Sequence, residues 1–137
     1  MTPEEIVRQL YLYKLIHEYG YPIERMELER AITFGIEKKR ADIVIFHKNN
    51  PTSEEIIVEL KKPKLKDGKE QLKSYCNATG AIIGVWTNGE QISFYHRKDP
   101  KDLPESVKLI VFICQSTIRL AKSRKCTLIM LNKPVLM

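Results

Sequence analysis

Lys39-Arg40-Ala41-Asp42-Ile43-Val44-Ile45-Phe46 and Ile56-Ile57-Val58-Glu59-Leu60-Lys61 decide how this chain folds. Both stretches are rich in β-branched residues, which fit a pleated surface, so Ala41–Phe46 and Ile56–Leu60 read as strands. His47-Lys48-Asn49-Asn50-Pro51-Thr52-Ser53 between them is turn chemistry. Asp42 opens the first of these strands and Glu59-Leu60-Lys61 ends the second. Asp42 and Glu59 are equidistant from a point between Asn50 and Pro51. A hairpin symmetric about that point sets them opposite each other, with Cβ atoms roughly 5 Å apart. Lys61 is two residues beyond Glu59 and falls on the same face of the sheet. Two carboxylates and an ammonium then converge at one end of a hairpin.

Like charges that close repel, and one carboxyl keeps its proton unless a cation sits between them. A hard divalent ion with oxygen ligands resolves the conflict. Mg²⁺ typically takes one or two protein carboxylates and completes its shell with water and substrate phosphate oxygens. Such an ion activates water for attack on a phosphodiester, and Lys61 is placed to orient that water or stabilise the phosphate. The plain alternative is a surface ion pair between Glu59 and Lys61.

Outward from this hairpin, Thr2-Pro3-Glu4-Glu5 opens a helix, with Thr2 at the N-cap, Pro3 at N1 and Glu5 completing a capping box. Ile6, Leu10, Tyr13 and Ile16 follow at helical spacing up to Gly20. From Met26 the period becomes two, so Met26, Leu28, Ile32, Phe34 and Ile36 are expected to point one way along a strand. Residues 67–79 read as a second helix, with Asp67 as N-cap and Gly80 at its C-terminus. Gln71 and Tyr75 share one face of it. Ala81–Thr87 reads as a buried strand, Asn88-Gly89 as a tight hairpin, and Gln91–His96 as its return strand. The order is α-β-β-β-α-β-β. Val107–Lys122 reads as a helix or as a strand followed by a helix.

The composition suits one soluble globular domain: 137 residues, 43% hydrophobic and 29% charged, with a net charge of +6. Residues 1–100 carry only +1 of that charge and residues 101–137 carry +5, so the excess sits in the tail. The proposed chemistry lies where charges nearly cancel, beside Lys38-Lys39-Arg40 and the lysines from Lys61 to Lys73. No apolar run approaches the ~20 residues of a membrane span. Three widely spaced cysteines, Cys76, Cys114 and Cys126, fit neither a disulfide framework nor a zinc ribbon. A cytoplasmic protein with no membrane association is the default expectation.

Several segments, taken together, resemble the N-terminal nuclease domain of type I restriction enzyme R subunits, in the PD-(D/E)XK nuclease superfamily. They are Pro3–Gln9, Tyr19-Gly20-Tyr21-Pro22, Lys39–Phe46, Val58-Glu59-Leu60-Lys61-Lys62-Pro63, Gln71-Leu72-Lys73-Ser74-Tyr75 and Thr87-Asn88-Gly89-Glu90. The resemblance implies an α/β restriction-endonuclease-like core, with a mixed central sheet flanked by helices, over residues 1–100. Residues 101–137 would be a basic extension packed on the same domain. It implies Mg²⁺-dependent DNA cleavage, with Mn²⁺ as a substitute. Asp42, Glu59 and Lys61 become the catalytic set, and Asp42, Glu59 and the Leu60 backbone carbonyl the metal ligands. Glu5 is the helix-one acid that could add a third carboxylate to the metal, with Glu4 as its alternative. Gln71 and Tyr75 match the Q-x-x-x-Y motif that contacts DNA or orients the centre, and Arg40, Lys62, Lys64 and Lys73 are candidate DNA contacts. Ala41 stands where the superfamily motif has its proline, a position variable in the family.

In the family, a helicase-type motor follows the nuclease domain in one long chain, and these 137 residues hold none. The nearest phosphate-loop look-alike, Gly84–Glu90, lacks the Lys and Ser/Thr that such a loop needs. No ATPase is therefore expected of this polypeptide. Expected partners are DNA, the modification and specificity subunits of a restriction system, and a second copy if both strands are cut. The alternative is a catalytically silent module of the same fold that binds DNA or a subunit. A third reading is an RNA-directed or repair nuclease of the same superfamily, since the core chemistry does not distinguish substrates.

Overall fold

The computed structural model of the chain describes residues 1–97. The tail expected over 101–137, with its ambiguous Val107–Lys122 segment, lies outside the described residues. The elements run α1 (Pro3–His17), β1 (Met26–Phe34), β2 (Glu37–Phe46), β3 (Glu54–Leu60), α2 (Lys69–Thr79), β4 (Ile83–Thr87) and β5 (Ile92–His96). The order α-β-β-β-α-β-β follows the sequence reading. One five-stranded sheet forms in the order β1-β2-β3-β4-β5. All neighbours pair antiparallel except β3 and β4, which are parallel because α2 carries the chain back between them. No helix among the described residues is long and apolar enough to cross a membrane.

Alternation along the central strands divides the core in two. Ile43, Ile45, Ile56, Val58, Leu60, Ile83 and Val85 pack with Val7, Tyr11 and Leu15 of α1. Val44, Phe46, Ile57 and Trp86 pack with Leu72, Tyr75 and Cys76 of α2. Each face of the sheet thus carries one helix, and β3 is buried on both sides from Glu55 onward. On the α2 side, a Cβ added at Gly84 would lie 2.9 Å from Cys76 Sγ and 3.0 Å from Leu72 Cγ. That glycine sets how closely α2 approaches β4.

The β2–β3 hairpin keeps the symmetric register expected of it. Ile43 pairs with Val58, Val44 with Ile57 and Ile45 with Ile56. A shift between Ile45 and Phe46 absorbs the irregular turn, so the rungs nearer Asp42 stay in register. The turn closes on His47 N–H to the Ser53 carbonyl and on Asn50 Oδ1, which accepts from Thr52.

Four local expectations are corrected. β2 begins at Glu37, not Ala41, because Lys38, Lys39 and Arg40 pair with β1 while remaining exposed. Backbone pairing holds them there without any apolar alternation to signal it. The single-faced reading of β1 fails at Glu29, whose φ is 52°. Met26 packs on the α1 side and Ile32 on the α2 side, so the strand turns over between them; Ile36 falls in the turn and is fully exposed. The N-cap of α2 is Gly68 at φ 98°, one residue past Asp67. The Asn88-Gly89 turn is a longer loop in which Asn88 Oδ1 accepts from the N–H groups of Glu90 and Gln91, and the ladder closes only at Thr87 and Ile92.

The close approach at Gly84 gives a stability prediction. Gly84→Ala should destabilise the domain by about 1–3 kcal/mol through overpacking against Leu72 and Cys76. Urea denaturation at unchanged m-value checks it.

Candidate metal centre at the ends of the central strands

The β2–β3 ladder stops at the Ile43–Val58 rung. Beyond it a side chain replaces the backbone partner: Leu60 N–H donates to Asp42 Oδ2 at 2.7 Å. This bond satisfies an N–H that would otherwise be stranded at the end of a buried strand. It also points the Asp42 carboxylate along the end of β3, against Glu59. The register of the hairpin sets the two carboxyl groups opposite each other, one rung beyond Ile43 and Val58, close enough for Asp42 to act on Glu59.

Glu59 is only 4% exposed. Its Oε2 is buried and has no hydrogen-bond partner. Burial, then the hydrogen bond and charge of Asp42, push its carboxyl up to about 9 from an ordinary 4.5; Lys61 acts the other way and Glu4 adds to the rise. At neutral pH the folded chain without a cation therefore keeps a proton in this pair. The two carboxylates and the Leu60 carbonyl form an all-oxygen donor set. The N–H and C=O of one strand residue point to the same side, so that carbonyl faces Asp42 as well. A hard divalent cation fits this set, because it would give Glu59 Oε2 the positive partner it lacks. Among the described residues no three His, Cys, Asp or Glu side chains converge on one point. The site offers two carboxylates, within the number Mg²⁺ usually takes from protein.

Lys61 follows directly, its N–H bonded to the Thr87 carbonyl of β4. Its side chain is half-buried on the α2 side, with Cε near Gly68. Gln71 and Tyr75 face the same region from α2 and hydrogen-bond each other. The Tyr75 hydroxyl also donates to the Arg40 carbonyl at 3.3 Å, which ties α2 to β2 two residues before Asp42. Tyr75 is fully buried, and burial with the nearby Glu59 and Asp42 charges raises its hydroxyl pKa against the Gln71 bond. Arg40, Lys62, Lys64 and Lys73 are exposed. Lys73 lies over the Tyr95 ring and beside Glu70.

The start of α1 closes the other side. Thr2, Glu4, Glu5, Arg8, Glu29, Asp42 and Lys62 line a cleft of about 490 Å³. The capping box forms by half: Glu5 N–H donates to Thr2 Oγ1, but the Glu5 carboxylate turns to Gln9 and Arg8. The Gln9 bond first, and then Arg8, lower its pKa against the opposing effect of desolvation. The charge of Glu4, rather than Glu5, is the α1 charge that bears on Glu59. Sequence reasoning missed Arg8 and Glu29, which pair at 3.5 Å across the cleft. It also missed Trp86, which pairs with Glu59 in the β3–β4 ladder. Nothing in a charged residue within a period-two run signals the left-handed backbone that brings Glu29 there.

Comparison with known proteins adds the following. The family described as type I restriction enzyme R protein N terminus matches residues 3–110. No curated protein matches the chain. Among solved structures, the crystal structure of SSO0001 is similar at 21% identity and a TM-score of 0.35, covering 87% of this chain and 59% of that one. The chain thus spans less than two thirds of that protein's length, and a likeness of this degree carries no argument.

The buried acid pair dictates a pH dependence. Below pH 4.5, Glu59 is protonated folded or unfolded. Between 4.5 and about 9 the unfolded chain loses that proton while the folded chain holds it, so stability falls as pH rises through this window. In EDTA, Glu59→Gln should therefore gain about 1–2 kcal/mol over wild type at pH 8. The gain should vanish below pH 4.5. Parallel denaturant titrations at the two pH values measure it.

Proposed function

The chain belongs to the family of type I restriction enzyme R protein N termini, and on that premise we propose that it is a metal-dependent DNA endonuclease domain with a PD-(D/E)XK-like core. Residues 1–100 form that core in this reading, with 101–137 as an extension. The observation that carries it is the Asp42–Glu59 carboxyl pair, held beside Lys61 with one buried, unpartnered oxygen. A purely structural ion pair at a strand end would not need a second buried carboxylate whose burial opposes its ionisation.

Asp42, Glu59 and the Leu60 carbonyl would hold Mg²⁺, with Mn²⁺ as a substitute. Bound there, the ion would supply an activated water and offset phosphate charge. Lys61 offers its ammonium to the scissile phosphate, where a fixed positive charge stabilises developing negative charge. Gln71 and Tyr75 act as positioning residues, since the Tyr75 hydroxyl is buried on the Arg40 carbonyl and keeps the start of the Asp42 segment in place. Glu4 and Glu5 stand at the cleft entrance, and Glu4 bears on the charge balance of Glu59. The exposed Arg40, Lys62, Lys64 and Lys73 supply phosphate contacts, which fix DNA without reading its bases. Target choice then falls to partners, the modification and specificity subunits of a restriction system, and a double-strand break calls for a second copy.

Nicking of supercoiled plasmid tests the reading. Wild type should nick in Mg²⁺ or Mn²⁺ and stop in EDTA. Lys61→Ala should slow nicking by about 100-fold or more while folding normally. Asp42→Asn should weaken Mn²⁺ binding, read by calorimetry, at least about tenfold. Equal nicking by wild type and Lys61→Ala sinks the assignment. No nicking by either, with DNA binding that falls steeply with salt, leaves a silent binding module in its place.

A further inference from the structure

From the end of β3 the Lys61 side chain crosses to the N-terminus of α2. Gly68 stands there at φ 98°, with no side-chain cap. A Cβ added to Gly68 would lie 2.6 Å from Lys61 Cε and 3.5 Å from Nζ. Carbon atoms in contact sit roughly 3.5–4.0 Å apart, so the end of the lysine stem occupies space that only a glycine leaves open. The atom in the way is the far end of a flexible side chain. A residue at 68 would therefore displace Lys61 rather than the backbone.

The wall of this channel is fixed. Trp86 Nε1 lies 3.6 Å from the same point and donates to the Asp67 carbonyl at 2.8 Å. Asn88 Nδ2 donates to the Leu65 carbonyl, and Leu65 N–H bonds to the Lys62 carbonyl. The basic loop between β3 and α2 is thus tied to β4 and the turn after it. Trp86 is itself fully buried and neighbours Glu59 across the parallel ladder. The residue beside one carboxylate so shapes the path of the ammonium that acts with it.

We propose that Gly68 is a positioning residue for Lys61, with Trp86 as its support. The proposal rests on reading Lys61 as the catalytic ammonium. Two substitutions separate its two properties. Gly68→Ala adds a Cβ and strains a left-handed backbone, whereas Gly68→Asn adds the Cβ at a residue type that tolerates that backbone. Reductive methylation of Lys61, read peptide by peptide in a mass spectrometer, reports where the ammonium is without any need for turnover. Both variants should methylate Lys61 several-fold faster than wild type. Both should nick plasmid about tenfold or more slowly, since small misplacements of a reacting group are costly. Their Mn²⁺ affinity should be unchanged. If Gly68→Asn methylates and nicks like wild type while Gly68→Ala does not, the glycine serves only the backbone and the proposal is wrong. If wild type fails to nick in Mg²⁺, the nuclease reading falls, and the methylation contrast decides the channel alone.

Discussion

The hydrogen bond from Leu60 N–H to the Asp42 carboxylate is the constraint on which the site depends. A buried strand end must place its last N–H groups somewhere, and most β-sheets continue the ladder or turn to water. Here β2 supplies a carboxylate instead of a carbonyl. One bond thereby ends the β2–β3 ladder and holds the Asp42 carboxylate at the end of β3, beside Glu59. Secondary structure and the candidate metal site meet in a single contact.

Around that bond the forces oppose each other. Glu59 is buried beside another acid, which raises its pKa and leaves Oε2 unpartnered. Such an arrangement persists only where the surroundings over-determine it. They do so through β3, which is covered by α1 on one face and α2 on the other. Tyr75 adds a tie from α2 to the Arg40 backbone, and Trp86 another from β4 to the loop after β3. The hydrophobic layers hold in place a charge arrangement that is unfavourable by itself.

The cleft beyond Asp42 is built differently. Its walls are the first turn of α1 and the edge strand β1, joined by Arg8 between Glu5 and Glu29. β1 turns over at Glu29, so one strand serves both halves of the core while its acid faces the cleft. The central strands thus supply a rigid, mostly buried pair, and the periphery supplies exposed charges of both signs.

Much of this was legible in the sequence because it is local. Periodicity and β-branched runs gave the element order, and symmetry about Asn50 and Pro51 was enough to set Asp42 against Glu59. The four-residue spacing of Gln71 and Tyr75 put them on one helix face. What failed were features that depend on chain segments far apart. The strand residues Lys38–Arg40 are held by pairing with β1, and the N-cap at Gly68 sits next to the Asp67 carbonyl that accepts from Trp86 of β4. The reversal at Glu29 sends Met26 and Ile32 to opposite sides of the sheet. The sequence by itself determined the order of the elements and which residues meet at the end of the β2–β3 ladder as candidates for chemistry. Only the tertiary structure decided the upward pKa shift of Glu59, the bond that holds Asp42 and the close approach of Lys61 to Gly68. Each of these arises from burial and close approach between separate elements, and spacing along the chain does not encode them.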